Sequence, residues 1–376
     1  MKTTRYSAFL SIAVILLTLF PGAWGRGMFQ SRTTAGIHTH HEVPMTDGTL
    51  LATDVYFPET GEGPWPVILT RSLYSRNQGM NGFIEEGYVA VVQDTRGFGT
   101  SQGEKHVFLT DGWRPGLTDG ADTIAWIRAQ PWCNGKIGTA GTSALAMTQM
   151  MLAPTTKEIA AQFMNKVPAN FYFDVVYPGG VFRKNLVEGW LTALGQSDLI
   201  AFYKNLPRYE EYWDYYNTVA QASNITAPGI FVGGWFDIFA KGTLEGFMAR
   251  ERQGGKGAQG RNYLVMQWGT HGRDTTTDYK LKPNRHEVST SALRQKFFEH
   301  YLKGDAEALN GIPKVQYYIL GDDTDPVPGS LQHATKERRT ERRMVHIGIA
   351  RDEEDIQFIP APRMHFGRGH GEGAGG

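Results

Sequence analysis

The sequence predicts an α/β fold: a mostly parallel sheet with helices on both faces, interrupted by an inserted helical cap. Three observations lead there. Short apolar runs at Val67–Thr70, Val89–Val92, Ile137–Ala140, Ile230–Val232 and Tyr263–Met266 look like strands buried on both faces. Helical patterns at Thr123–Ala129, Ala144–Leu152 and Leu293–Leu302 fall among them. The stretch 170–222 breaks the rhythm. It shows no strand succession but is rich in aromatics, among them Phe171, Trp190, Tyr209, Trp213 and Tyr216, which fits a helical segment packed over the sheet. Most of these rings are expected to be packing, with some lining a cleft beneath the cap.

With 376 residues the chain has ample length for a core. Its 38 basic and 38 acidic side chains cancel, which argues against a nucleic-acid or anionic-membrane partner. The single cysteine, Cys133, excludes an internal disulfide framework and a thiolate metal cluster. An aromatic content of 12% and a charged content of 20% exclude wholesale disorder.

In chain order, Lys2 and Arg5 precede an apolar run from Ala8 to Phe20 and the small-residue site ending at Gly25. This pattern predicts an export signal cleaved after Gly25 and a periplasmic or secreted protein. The run covers about 20 Å as helix, short of the ~30 Å hydrocarbon layer, so no stable membrane insertion is expected. His38, His40 and His41 follow in a polar lead-in, read as a flexible leader rather than a metal site. Thr46-Asp47-Gly48 is a turn before an alternating strand, Leu50–Phe57, which suggests a hairpin.

Two serines compete for the role of nucleophile. Gly99-Thr100-Ser101-Gln102-Gly103 is a literal G-x-S-x-G match, yet neither a strand immediately before nor a helix after it is evident, and both are needed to expose a hydroxyl at a sharp turn. Ser101 is therefore read as a decoy. Gly141-Thr142-Ser143-Ala144-Leu145-Ala146 fits better: a strand ends at Ala140, small residues flank Ser143, and good helix formers follow. On spacing alone Ser143 is equally a simple helix cap. A serine also needs a base, and the base an orienting acid. Asp237 follows the strand ending near Phe236, and His271 follows the strand Tyr263–Trp268. Taken singly, Asp237 is also a helix N-cap and His271 a turn residue. The order Ser143, Asp237, His271, each past a strand, is that of an α/β-hydrolase.

These residues resemble the Xaa-Pro dipeptidyl-peptidase and cocaine-esterase-like serine hydrolases. The similarity runs from about Val43 to Asp322 through the Val43–Gly48 hairpin, Asp94-Thr95-Arg96-Gly97 with Ser101–Glu104, the Gln130–Gly138 lead-in to the elbow, Tyr177-Pro178-Gly179-Gly180, Gly233–Asp237 and His271-Gly272. The resemblance implies an α/β-hydrolase fold and a serine hydrolase acting on small-molecule esters or amides without metal or organic cofactor. It also implies an oxyanion hole built from the Tyr74 hydroxyl and the backbone N–H of Ala144. Three departures stand out. Ala144 replaces the usual tyrosine after the nucleophile, and Ala146 the usual glycine. Phe239 and Ala240 stand where members acting on α-amino acid esters carry an acidic pair, which disfavours an α-ammonium site there.

The expected organisation is a signal peptide at 1–25, core at 26–169, cap at 170–222, core at 223–313, and at 314–376 the start of a truncated β domain followed by a poorly ordered tail. Val315–Asp322 resembles the opening of the family's C-terminal jelly roll, and alternation then stops, as a truncation or frameshift would produce. Asp322-Asp323-Thr324-Asp325 reads as a turn rather than a calcium loop. Ester hydrolysis is the first expectation. Xaa-Pro dipeptidyl-peptidase or another amidase activity is second and would need an acidic anchor such as Asp174, Glu188 or Asp214. A catalytically inactive binding protein is the reading from another class.

Overall fold

The computed structural model describes residues 38–76, 81–272, 289–318 and 331–333. The expected signal segment, the turn at 322–325 and the tail from 334 lie outside the described residues.

The strands are β1 (His38–Pro44), β2 (Leu50–Tyr56), β3 (Trp65–Ser72), β4 (Val89–Asp94), β5 (Cys133–Thr142), β6 (Ile159–Asn165), β7 (Gly229–Phe236), β8 (Tyr263–Thr270), β9 (Val315–Tyr318) and β10 (Leu331–His333). They form one sheet in the order β1-β2-β4-β3-β5-β6-β7-β8-β9-β10. Pairing is parallel from β4 through β9, and antiparallel between β1 and β2, β2 and β4, and β9 and β10. The α/β expectation is met.

Alternation along the central strands sends successive side chains to opposite faces, and both faces are covered. Val67, Leu69, Val89, Val91 and Ile137 pack with Ile124 and Ile127 of α2 (Asp119–Arg128). On the same side Met164, Phe231 and Met266 meet Ala146 and Met150 of α3 (Ala144–Leu152) and Phe247 of α7 (Ala240–Gln253). Ile68, Val92, Phe163, Val232 and Val265 point the other way, to Phe83 of α1 (Asn81–Glu85) and to Leu293, Phe297 and Phe298 of α8 (Thr290–Phe298).

Residues 170–222 are helical: a π-turn at Phe171–Val176, then α4 (Lys184–Ala193), α5 (Asp198–Lys204) and α6 (Glu211–Asp214). Asn170 caps the π-turn by accepting from the N–H groups of Tyr172 and Phe173. The segment has its own aromatic core, with Trp213, Tyr203 and Tyr216 buried and Phe171 stacked on Tyr216 at 5.0 Å. The Tyr216 hydroxyl donates to the Val107 carbonyl at 3.0 Å, tying the segment to the loop before α2.

Two sequence expectations need correction, and two elements were not foreseen. His38, His40 and His41 are not a flexible leader; they lie in β1, which pairs with β2 from His38↔Tyr56 to Pro44↔Leu50. His40 contacts Asp54 at 2.7 Å and Glu42 at 3.0 Å, so these histidines have carboxylate neighbours across and along the strand. Val315–Tyr318 does not open a separate β domain. It extends the central sheet beside β8, with Leu264↔Val315 and Met266↔Tyr317 in register, because the outer edge of β8 offers an unfilled parallel ladder. The indole N–H of Trp235 donates to the Tyr318 carbonyl at 2.6 Å and fixes that strand's end. Finally, β6 and α7 went unread. Ile159-Ala160-Ala161-Gln162 is poor in β-formers, and Gln162 is fully buried only because Thr139, Gln149 and Arg250 satisfy its amide.

Among the described residues no helix is long and apolar enough to cross a membrane.

Candidate active site

Ser143 sits between the end of β5 and the start of α3 with φ 58° and ψ −121°, a conformation that costs a residue with a Cβ about 1–3 kcal/mol. Its neighbours over-determine it. The Ser143 N–H donates to the Asn165 carbonyl at 2.9 Å, and the Ser143 carbonyl accepts from Ala146 and Met147 as the helix begins. Gly141 must be glycine, since a Cβ there would stand 2.4 Å from the Leu145 carbonyl oxygen. Ala146, a departure from the family pattern, is buried against Met150 and Met164, so its methyl fills core rather than crowding the turn.

From this elbow a chain of two hydrogen bonds runs across the sheet's carboxyl edge. Ser143 Oγ is 2.8 Å from His271 Nε2, and His271 Nδ1 is 2.8 Å from Asp237 Oδ2. An ionised carboxylate only accepts, so Nδ1 carries the proton and Nε2 is left as the acceptor facing the serine. The second Asp237 oxygen accepts the Phe239 N–H at 2.7 Å. Asp237 follows β7 and His271 follows β8, and Gly234 lets those strand ends close: a Cβ there would lie 2.2 Å from the Gly269 carbonyl oxygen. Lys166 donates to the His271 carbonyl at 3.3 Å, and the Phe239 ring meets the imidazole edge-on at 4.9 Å. All three expected residues are brought together.

Ser143 and His271 open onto a cavity of about 50 Å³ whose wall also includes Tyr74, Ala144, Met147, Phe171, Val175, Leu186, Trp190, Ile238 and Phe239. Tyr74 is thus placed beside the serine, on the loop after β3. Tyr74 is 47% exposed overall, yet desolvation by the protein around its phenol pushes the pKa above its ordinary value, and a hydrogen bond from Trp190 pulls the other way. The Ala144 N–H is at the first helical position, where the α-helix offers it no acceptor. Phe239 lines the cavity wall, and among the described residues no Asp or Glu side chain lines it.

The other sequence candidates are elsewhere. Ser101 Oγ donates to the Asp94 carbonyl at 2.7 Å and accepts from the Ala52 N–H at 2.9 Å, a buried structural tie. Asp174 is buried and accepts from the N–H groups of Ala169 and Asn170 at 2.9 and 2.8 Å. Glu188 pairs with Lys204, and Asp214 accepts from the Tyr209 hydroxyl at 3.0 Å. None of these three lines the cavity. Among the described residues no group of three or more His, Cys, Asp or Glu side chains is placed to hold a metal. Trp190, Leu186, Met147 and Ile238 were not legible as wall residues, because the chain folds them over the serine from separate segments.

Comparison with known proteins accords with this geometry. The model of the X-Pro dipeptidyl-peptidase (S15 family) matches residues 47–201 and 195–273. The chain is 27% identical over 355 residues to the cocaine esterase of Rhodococcus sp. (strain MB1 Bresler), covering 76% of this chain and 59% of that protein. Among solved structures, a CocE/NonD family hydrolase from Staphylococcus aureus superposes with a TM-score of 0.63 at 21% identity, covering 75% of this chain and 53% of that one. An α-amino acid ester hydrolase superposes with a TM-score of 0.58 at 21% identity, covering 78% and 58%. The chain thus spans a little over half the length of these relatives, and its sheet, helices and elbow have the α/β-hydrolase fold. With more than half of its residues matched by the family model, the chain belongs to the X-Pro dipeptidyl-peptidase (S15) family.

Proposed function

We propose that the chain is a serine hydrolase that cleaves carboxylic esters through an acyl-enzyme on Ser143. The observation that carries this reading is the unbroken Ser143–His271–Asp237 relay, with 2.8 Å at each link, opening onto an apolar cavity. Ser143 Oγ attacks the ester carbonyl as His271 Nε2 takes its proton. Asp237 holds the imidazole in the accepting tautomer and stabilises the imidazolium. The tetrahedral oxyanion is met by the Tyr74 hydroxyl and the Ala144 N–H. His271 then gives its proton to the departing alkoxide, and the alcohol leaves. A water, deprotonated by the same nitrogen, attacks the acyl carbonyl, and the acid is released with Ser143 reprotonated.

The wall of the cavity favours neutral, short acyl groups over an α-aminoacyl group. A dipeptidyl-peptidase activity needs an acidic anchor for the substrate amine, and Asp174, Glu188 and Asp214 are all absent from the cavity wall, where Phe239 stands instead. The inactive-scaffold reading has the intact relay against it.

A fluorophosphonate probe tests the proposal. Labelling of the folded protein that disappears in Ser143→Ala is expected, and folded wild type that takes no label sinks it. Turnover of p-nitrophenyl acetate and butyrate is expected to exceed that of glycyl-prolyl p-nitroanilide; the opposite ranking would move the assignment to the peptidase.

A further inference from the structure

Tyr74 is held at two points, and they come from different parts of the fold. Its backbone is fixed by Ser72, whose buried hydroxyl accepts from the N–H groups of both Tyr74 and Ser75 at 3.1 Å. Its hydroxyl is fixed from the cap: the indole N–H of Trp190, in α4, donates to Tyr74 Oη at 2.9 Å. Trp190 is itself clamped. Its ring stacks on Phe108 at 5.7 Å with planes 18° apart and leans on Phe171 at 6.3 Å. Both Tyr74 and Trp190 border the cavity that contains Ser143.

The chemistry of the two groups gives the contact a direction. An indole N–H only donates, while a phenol has one donor and can also accept. Because Tyr74 Oη accepts from Trp190, its own hydrogen is turned away from the indole and left for a second acceptor. The oxyanion of the tetrahedral intermediate is such an acceptor. A hydrogen bond into the phenol oxygen also makes its O–H a stronger donor, since adjacent hydrogen bonds polarise one another.

We infer that Trp190 is a positioning residue for the oxyanion hole: it orients the Tyr74 hydroxyl toward the intermediate and couples the hole to the seating of the cap helix. This inference rests on the hydrolase reading above and adds a residue and a role to it. The hole is then complete only when α4 lies against the loop at Phe108. Displacing the cap would disorient the oxyanion donor even with Ser143, His271 and Asp237 undisturbed.

The test is a double-mutant cycle on p-nitrophenyl acetate with Trp190→Phe, Tyr74→Phe and the pair. Trp190→Phe keeps a ring in the cavity wall and deletes the N–H. It is expected to lower kcat about tenfold, the scale of one net hydrogen bond, with KM within about twofold. In the Tyr74→Phe background the same change is expected to do nothing further, because the hydroxyl it orients is gone. An equal loss in both backgrounds, or a rise in KM at constant kcat, would overturn the inference and leave Trp190 as a wall residue only. Replacing Trp190 by 3-benzothienylalanine keeps the bicyclic shape without the N–H; it is expected to match Trp190→Phe, and wild-type kcat there would also overturn the inference. Fluorophosphonate labelling of Ser143 separates the two claims. Labelled, active wild type with an additive cycle removes only the role of Trp190, whereas unlabelled, inactive wild type removes the hydrolase reading and this inference with it.

Discussion

The backbone N–H of Phe239 donates to Asp237 Oδ1 at 2.7 Å, so the carboxylate is locked by a residue two positions along its own chain. With one oxygen fixed in this way, the other faces His271 Nδ1 at 2.8 Å. In Asp237→Asn the amide oxygen is expected to keep the Phe239 contact and turn the amide NH₂ toward Nδ1. The imidazole proton then moves to Nε2, which donates to Ser143 instead of accepting from it. A loss of about 10⁴-fold in kcat with little change in Tm is predicted, measured by ester turnover and thermal unfolding. A loss under tenfold would mean that the relay does not gate the reaction.

Removing the proposed nucleophile is a harsher test. Ser143→Ala is predicted to lower kcat by roughly 10⁶-fold. It is also predicted to hold or raise Tm only slightly, since alanine at a positive φ keeps most of the same backbone strain.

Tyr74→Phe is predicted to cost about 10²–10³ in kcat through loss of one oxyanion donor, with KM for p-nitrophenyl acetate nearly unchanged. If KM rises and kcat holds, Tyr74 binds substrate rather than the developing charge.

Arg96 tests what holds the loop framework behind the site. Its guanidinium meets Asp119 through Nε at 2.9 Å and Nη2 at 2.6 Å, and Asp47 through Nη1 at 2.7 Å. One side chain therefore joins the β1–β2 turn, the loop after β4 and the start of α2. Arg96→Ala strands the fully buried Asp119 without a counter-charge and is predicted to cost about 3–5 kcal/mol, read as the shift in urea midpoint.

The same cluster sets a pH dependence. Hydrogen bonding to Arg96 holds the Asp47 carboxyl well below its ordinary range. A depressed folded-state pKa binds fewer protons than the unfolded chain, so this contribution is full above about pH 4 and fades as pH falls below the unfolded value. The Tm gap between wild type and Asp47→Asn is predicted to be constant from pH 7 to 5 and to shrink below about pH 4. A gap that widens on acidification would contradict the assignment.

The three relay residues were legible because each stands just past a short apolar run, and order along the chain survives folding. The strands at Val67–Thr70 and Val89–Val92 were legible for the same reason: β-branched residues buried on both faces leave little choice of structure. β6 was not, since its alanines and Gln162 acquire strand character only from neighbours on both sides. The His38–His41 segment alternates too weakly to declare itself and becomes a strand because β2 presents a free edge. Val315–Tyr318 was legible as a strand but not as to its sheet, because alternation says nothing about the partner. Trp190 stood out only as one aromatic among many. Its contact with Tyr74 spans 116 positions, and no local pattern encodes a pairing at that distance.

Phe171 belongs at once to the cavity wall and to the buried aromatic cluster around Trp213, Tyr203 and Tyr216. Truncating it to enlarge the cavity would also hollow that cluster, at about 3–5 kcal/mol. Ile238 borders the same cavity from its solvent side and lies outside that cluster, so a change there leaves the cluster filled, whereas Leu186 packs against it. If the chain hydrolyses esters as proposed, drift in substrate range is channelled: position 238 is open to change, while positions 171 and 186 are tied to the packing of the aromatic cluster.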